Sequence, residues 1–439
     1  MTETPLDLVG IGAGPFNLAL AALLEGEPGL KARFFERSAA FEWHPGMLLP
    51  GAKLQTACLK DLVTAVAPTS PHSFLAYLVA HGRFYQHLAA EFESIDRREF
   101  ADYLRWVAER VPSVAFGHPV REVTATAEGF RVHLDDTSVS TRQLCVATGR
   151  SPIIPEWMQA LPRERAYHNA EYLLRELPAD VRRIAVVGGG QSSAEVVLDL
   201  LARTHTELAE IAWLSSRANF APLDDTPFTN ELFTPAWVEA FHGLPETKRA
   251  RLLASHHLAG DGISPQTLRE LYQTLYRRRY FDAQGACASL LPGREVFAAE
   301  CLGRRLRLFA HNRLTGTYHH EEVDAVILCT GYRSVLPACL AHVAEHIARD
   351  SFGQPQVDAH FRARWTGPGD GRLYLQNLSE HSHGIAEPQL SLMAWRAGVI
   401  ANAVLGIQRF PTAAWPELVH WGDLVRGDRR LRATSRSNG

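Results

Sequence analysis

A redox-active cysteine pair is missing from this sequence. Its six cysteines (Cys58, Cys145, Cys287, Cys301, Cys329 and Cys339) are scattered, with no C-x-x-C spacing. That argues against a dithiol redox centre and a cysteine zinc site, and for a reducing compartment. Long apolar runs are missing too: none reaches the roughly 18 residues of a membrane span, so none is expected. Neither sign of charge dominates. There are 45 Lys and Arg against 48 Asp and Glu, a net charge of −3, and nucleic acid is disfavoured as a partner. The opening residues are acidic and enter a strand at once. They lack a basic region followed by a cleavable apolar segment, so secretion is not expected and a cytoplasmic location is. The histidine-rich turn His381-Ser382-His383 has no second cluster at ligand spacing, so no metal site is expected. No short repeat occurs.

What is present, almost at the first residue, is a strand, a glycine turn and a helix. Asp7-Leu8-Val9-Gly10-Ile11-Gly12-Ala13-Gly14-Pro15-Phe16-Asn17-Leu18 is an apolar run ending in Gly-x-Gly-x-x-Pro and passing into an Ala/Leu-rich segment. In that context the motif reads as a dinucleotide site. Gly10 is expected to permit the tight turn and Gly12 to let the backbone approach a pyrophosphate. The N–H groups and dipole of the helix start then face the phosphates. Pro15 stands where a third small residue is usual, a place compatible with the first turn of a helix. The next strand, Ala32 to Phe35, ends in Glu36, an acid placed to accept from ribose hydroxyls. A second signature follows: strand Arg183 to Val187, then Gly188-Gly189-Gly190-Gln191-Ser192-Ser193, then a helix. The strand after it, Ile211 to Leu214, ends in Ser215-Ser216-Arg217, with no acid at the ribose position. Hydroxyls and a guanidinium suit a 2′-phosphate and favour NADPH over NADH, although Arg217 also reads as a solvated surface residue.

With 439 residues and 46% apolar content, the chain has length for two or three domains at ~150 residues each. The loop Trp43-His44-Pro45-Gly46-Met47 would pack on a flat ring system, or simply be anchored by a buried tryptophan. Helical spacing marks Ser73 to Gly82 and Arg98 to Val111, and Gln389 to Leu405 also reads as a helix. Strands are expected over Val120–Ala125, Phe130–Leu134 and Gln143–Gly149, and again between Glu295 and His319. Two strands end in Thr-Gly, at 148–149 and 330–331. The expected fold is α/β: two Rossmann-like dinucleotide-binding domains with a small, mainly helical substrate-binding region. The first domain covers 1–165. The second covers 166–320 with a helical insertion at about 218–280. The chain returns to the first over 321–425, and 426–439 is a disordered tail. A flavin with a nicotinamide is the natural pair, because hydride passes from the second to the first.

The ordered set of motifs resembles the flavin-dependent N-hydroxylating monooxygenases of siderophore biosynthesis, the lysine, ornithine and diamine hydroxylases. The pieces that carry it are Gly10–Leu18, Trp43–Met47, Gln55-Thr56 with Leu59-Lys60-Asp61-Leu62, Gly188–Ser193, Asn230-Glu231 with Phe233-Thr234-Pro235, Ala147-Thr148-Gly149, Thr330–Ser334 and His383–Pro388. The resemblance implies FAD at Gly10, Gly12, Gly14, Pro15 and Glu36, with Trp43, His44, Thr330 and Gly331 also at the cofactors. It implies NADPH at Gly188, Gly190, Gln191, Ser192, Ser193 and Arg217. It implies N-hydroxylation of a terminal primary amine by O2 through a C4a-hydroperoxyflavin, and it admits a homo-oligomer. Gln55 matches a glutamine at the reactive edge of the flavin, and is the catalytic candidate. Lys60 matches a lysine that contacts substrate carboxylate in the ornithine members, and Asn230 an asparagine that also holds substrate there. A structural ion pair with a nearby acid is the other reading of Lys60. Ornithine enzymes carry a second asparagine where this chain reads Gly260-Asp261-Gly262-Ile263-Ser264, and no asparagine lies between 231 and 311. The expected substrate is L-lysine, with putrescine or cadaverine next and ornithine last. Other flavin oxidoreductases (a disulfide reductase, a ketone or sulfide oxygenase) and a non-catalytic dinucleotide-binding module are the competing classes.

Overall fold

Twice the chain alternates short apolar strands with helices, and twice it builds a sheet with a parallel core from them. In the computed structural model, which describes residues 5–203, 208–281, 287–413 and 418–422, β1 (Leu6–Ile11) runs into helix α1 (Pro15–Leu24) and returns as the parallel strand β2 (Ala32–Phe35). Helices α2 (Phe74–Ala80), α3 (Phe84–Ala89) and α4 (Arg97–Ala108) follow. Asp96 caps α4 by accepting the Arg98 N–H. Phe100, Tyr103, Leu104 and Val107 recur at helical spacing on its buried face. Strands β3 (Val114–Ala115), β4 (Glu122–Thr126), β5 (Gly129–His133) and β6 (Ser138–Val146) complete a sheet ordered β3-β2-β1-β6-β5-β4.

The chain crosses to a second sheet through β7 (Ser151–Pro152). β8 (Ala166–His168), β9 (Arg183–Val187), helix α5 (Gln191–Ala202) and β10 (Glu210–Ser215) come first. The insertion holds α6 (Pro227–Asn230), α7 (Pro235–His242), α8 (Glu246–Ser255), α9 (Leu258–Asp261) and α10 (Pro265–Tyr280). Next are β11 (Cys287–Pro292), the antiparallel meander β12 (Arg294–Leu302), β13 (Arg305–Asn312) and β14 (Tyr318–Val323), and β15 (Ala325–Leu328). Among the described residues the second sheet is parallel and ordered β11-β10-β9-β15-β8. β16 (Tyr332–Arg333) then pairs antiparallel with β7, so the two chain crossings are zipped to each other. β17 (Arg372–Leu375) joins the first sheet beside β6, and α11 (Glu380–His383) and α12 (Met393–Leu405) end the fold.

The patterning missed β8 and β11. Both are edge strands, and β8 is only three residues long in a proline-rich stretch. The chain leaves the second sheet only after Leu328 rather than at 320, because β15 lies inside that sheet, between β9 and β8, and it rejoins the first sheet at β17. The last helix starts at Met393, after a 3-10 turn at Leu390–Leu392, rather than at Gln389. The tail at 426–439 lies outside the described residues.

α1 is buried along its whole length and α12 is buried at all but three positions. A helix that is apolar all round belongs in an interior, and these two pack on each other and on the first sheet. The second sheet has a core on each face, one filled from α5 and α10 and one from the meander. Among the described residues, no helix is long and apolar enough to cross a membrane.

Candidate active site

The first glycine turn is shaped by two contacts. Gly12 sits at φ +83°, and a Cβ there would stand 2.7 Å from the Ala147 carbonyl oxygen. Gly12 thus makes the turn expected of Gly10. Gly10 is ordinary strand, and a Cβ on it would run into the Phe34 ring of β2. Gly14 caps α1 with no side-chain hydrogen bond, and Pro15 is the first helical residue. Helices α2, α4 and α10 are capped by Ser73, Asp96 and Ser264. At α1 a glycine replaces the cap, which leaves the first N–H groups for an anion. Glu36 accepts from Ala13 N–H (2.9 Å) and Ser38 N–H (3.0 Å), so its carboxylate is held against the turn. Asn17, absent from the expected residues, is fully buried. It donates to Gly12 O (2.8 Å) and accepts from Gln376 Nε2 (2.9 Å), tying the turn to the end of β17. A polar residue in an otherwise apolar helix was the signal for it.

At the second turn each glycine meets a different element. A Cβ on Gly188 (φ +143°) would run into the Cys329 carbonyl, and one on Gly189 into the Ser215 hydroxyl. Gly190 caps α5, again without a side-chain bond. Gln191 faces the insertion: its Nε2 donates to Thr267 Oγ1 (3.0 Å) and Glu195 Oε1 (2.9 Å), and its Oε1 accepts the Ser264 N–H (2.8 Å). Ser193 is buried and donates to Gly190 O (2.6 Å). Among the described residues, Ser192 alone of the three has a hydroxyl or amide with no protein partner. Arg217 is not a solvated surface residue. It donates to Gly189 O (3.2 Å), to Asp261 O (2.7 Å) and to the Asp261 carboxylate (2.5 Å). An acid therefore does stand beside this turn. It comes from α9, 44 residues beyond Arg217, where a reading of the strand end alone does not look.

Between the turns lies the zipped crossing. Thr330 Oγ1 donates to Ile153 O (2.6 Å), and Gly331 has φ +84°. His168 Nε2–H donates to Gly331 O (3.2 Å) while Nδ1 accepts the Ala170 N–H (3.2 Å). Those two bonds need a neutral ring, and burial holds its pKa at about 4. The 43–47 loop spans the units. Trp43 packs edge-on against Phe100 at 5.7 Å, and Met47 enters the core beneath the second sheet. His44, in the left-handed region at φ 47°, sets its ring edge-on to Trp43 at 5.2 Å and to Tyr332 at 6.5 Å. Surrounding protein and then the Arg97 guanidinium lower its pKa to about 4. Arg97 itself forks onto Glu195 of α5 at 2.8 and 3.1 Å and donates to Met47 O. This buried bridge went unforeseen because its partners lie 98 residues apart.

In the 55–62 loop, Asp61 is buried and accepts from Val63, Thr64 and Phe74 N–H groups and the Thr64 hydroxyl. That pins the loop and leaves Lys60 beside it. Lys60 is half-buried, burial pulls its ammonium pKa down, and among the described residues it has no ion-pair or hydrogen-bond partner for its side chain. The structural ion-pair reading of Lys60 thus has no acid to support it. Gln55 is exposed on the same loop. Asn230, at the end of α6, donates to Asp225 O (3.2 Å). No hydrogen bond links Gln55, Lys60 and Asn230 to one another. The assembly offers two uncapped helix starts suited to two pyrophosphates, and a half-buried cation suited to a small carboxylate.

The chain matches the family described as L-lysine 6-monooxygenase/L-ornithine 5-monooxygenase over residues 4–334. It is 39% identical over 418 residues to the L-lysine N6-monooxygenase of Escherichia coli, covering 95% of this chain and 98% of that protein. The FAD-bound cadaverine monooxygenase of the desferrioxamine pathway from Erwinia amylovora superposes with a TM-score of 0.88 at 29% identity, covering 95% and 98% of the two chains. The ornithine N-hydroxylase of Kutzneria sp. 744, solved with reduced FAD, NADP⁺ and L-ornithine, gives 0.86 at 30% identity, covering 92% and 99%.

Proposed function

Because the chain belongs to the L-lysine 6-monooxygenase/L-ornithine 5-monooxygenase family, we propose that it is an FAD- and NADPH-dependent monooxygenase that N-hydroxylates the terminal amine of L-lysine for siderophore biosynthesis. FAD, reduced by NADPH, supplies the oxygen chemistry when bound. The protein binds, orients and excludes water. The α1 start, with Gly12, Gly14 and Pro15, takes the FAD pyrophosphate, and Glu36 its ribose. The α5 start, with Gly188, Gly190 and Ser192, takes the NADPH pyrophosphate, and Arg217 its 2′-phosphate. Gln191 and Ser193 serve that site by fixing its shape. Trp43, His44, Gln55, Thr330 and Gly331 line the cleft between the two.

One observation carries the choice of an amino acid over a diamine: a half-buried ammonium, Lys60, with no protein partner among the described residues; the lack of an asparagine between 231 and 311 turns that choice from ornithine to lysine. A cation so placed is stabilised by a substrate carboxylate, which lysine has and a diamine lacks. Asn230 is the second group assigned to the substrate. The reacting amine must be neutral, although it titrates at about 10.4 in water. Desolvation in an apolar pocket would ease proton loss from it. The relation to a cadaverine monooxygenase keeps a diamine as the second reading.

The test is product mass after incubation with FAD, NADPH and, separately, lysine, ornithine, putrescine and cadaverine. N6-hydroxylysine as the main product, with Lys60→Ala raising the KM for lysine about tenfold or more while flavin reduction persists, is the expected result. Product from diamines alone would give the pocket to a substrate without a carboxylate.

A further inference from the structure

We propose that Asp261 sets the dinucleotide preference of the second site: its carboxylate competes with the 2′-phosphate of NADPH for Arg217, and accepts a hydrogen bond from the free 2′-hydroxyl of NADH. The inference rests on the reading that Arg217 meets the adenosine ribose. Arg217 presents two nitrogens toward Asp261. One bonds the backbone carbonyl at 2.7 Å and the other the carboxylate at 2.5 Å. The second carboxylate oxygen lies 3.4 Å from where a Cβ on Gly190 would stand, so the acid faces the glycine that caps α5. The Asp261 side chain is 66% exposed, against 27% for Arg217. A ligand can therefore reach the carboxylate without unpacking the arginine.

The chemistry follows from these positions. A 2′-phosphate that takes the guanidinium fork must displace a carboxylate already bonded to it, and meets that carboxylate as a like charge. A free 2′-hydroxyl meets an acceptor, the arrangement an acid at a strand end usually supplies. Arg217 and Asp261 thus pull in opposite directions. Asp261 lies next to Gly260, whose Cβ position is 3.4 Å from the Gln389 amide. A nucleotide that moves Asp261 moves a segment lying between the second glycine turn and the C-terminal part of the first unit.

The experiment uses the full-length, FAD-loaded enzyme. 2′-AMP and 5′-AMP binding are measured calorimetrically, and the KM values for NADPH and NADH are measured beside them. An exposed ion pair is worth up to about 1 kcal/mol, a factor of roughly three to five in affinity. Asp261→Asn is expected to tighten 2′-AMP binding by that factor and to lower the NADPH:NADH KM ratio in the same sense, with no tightening of 5′-AMP. Loss of a merely structural contact would loosen the segment and weaken binding rather than tighten it. Asp261→Ser serves as a second variant should the amide find new partners. Unchanged or weaker 2′-AMP binding in both variants, with Arg217→Ala still weakening it, overturns the role of Asp261 alone. If Arg217→Ala leaves 2′-AMP binding unchanged, the assignment of Arg217 to the 2′-phosphate fails, and the competition with it.

Discussion

At the first glycine turn, the groups that shape the site come from the first unit. Glu36 leaves the neighbouring strand and accepts one N–H of the turn, from Ala13, and one from its own loop, from Ser38; Asn17 ties the turn to β17, and α1 is buried along its length. At the second turn the equivalent groups are borrowed. Gln191 bonds Ser264 and Thr267 of the insertion, Glu195 bonds Arg97 of the first unit, and the acid beside the ribose position comes from α9. A site closed by its own unit suits a dinucleotide that stays. A site whose walls belong to three segments can change when one of them shifts, and that suits a dinucleotide that arrives, reacts and leaves.

The strongest way to break this contrast is to put a branched side chain at each turn. Gly12→Val and Gly188→Val each force a Cβ into a backbone carbonyl at positive φ, at a cost of about 3 kcal/mol or more. Gly12→Val is expected to purify without flavin absorbance. Gly188→Val is expected to keep its flavin and lose reduction by NADPH. Equal flavin loss in both would mean that the units do not bind independently.

Removing Arg97 tests the borrowing. Arg97→Ala leaves the Glu195 carboxylate, 7% exposed, without its guanidinium, and the expected loss is about 3 kcal/mol. Calorimetry should show the second unit melting earlier than the first; one undivided transition would show that the units unfold together.

Acid probes the two sides more gently, with His44 of the first unit held neutral in the same way as His168. Asn17 ties the first turn with an amide that does not titrate. His168, at the edge of the second sheet, must stay neutral, with a pKa of about 4 against 6.5 when unfolded. Between those values the unfolded chain binds the proton and the folded chain does not. The stabilisation is therefore complete above pH 6.5 and lost as pH falls toward 4. Denaturant titrations at pH 7.5 and pH 5 should differ by about 2 kcal/mol from this group alone, and His168→Gln should remove that part of the slope. A slope unchanged in the variant would place the acid sensitivity elsewhere. The smallest effect belongs to Glu36→Gln, which keeps one acceptor of two. About 1 kcal/mol, or a several-fold weaker hold on FAD, with NADPH affinity unmoved, is expected by fluorescence titration.

Both glycine turns, their strands and their helices were legible in the sequence because each is a contiguous local pattern. The division of labour between Gly10 and Gly12 was not, since it depends on Phe34 and Ala147, brought up by other strands. The same holds for Asp261 beside Arg217, Glu195 beside Arg97 and the zipped crossings at 151–152 and 332–333. Each is a pair whose members are far apart in the chain, and no spacing rule links them. Lys60 is an intermediate case: the motif marks it, but only the geometry shows that its neighbour Asp61 is spent on backbone N–H groups and leaves the ammonium alone.

The position of β17 and α12 has a consequence for how the protein is made. The first sheet waits for the strand that lies beside β6, and α1 for the helix that covers it, until the whole second unit has left the ribosome. At ordinary rates of elongation that gap is roughly ten to forty seconds. Throughout it, the apolar faces of α1 and β6 lack their final cover, while the second sheet, encoded without interruption, can already close. The nascent chain is therefore most exposed to chaperones and proteases through its first unit, although that unit is synthesised first. A chain that ends after β15 and before residue 372 has every strand of the second sheet and an open first one.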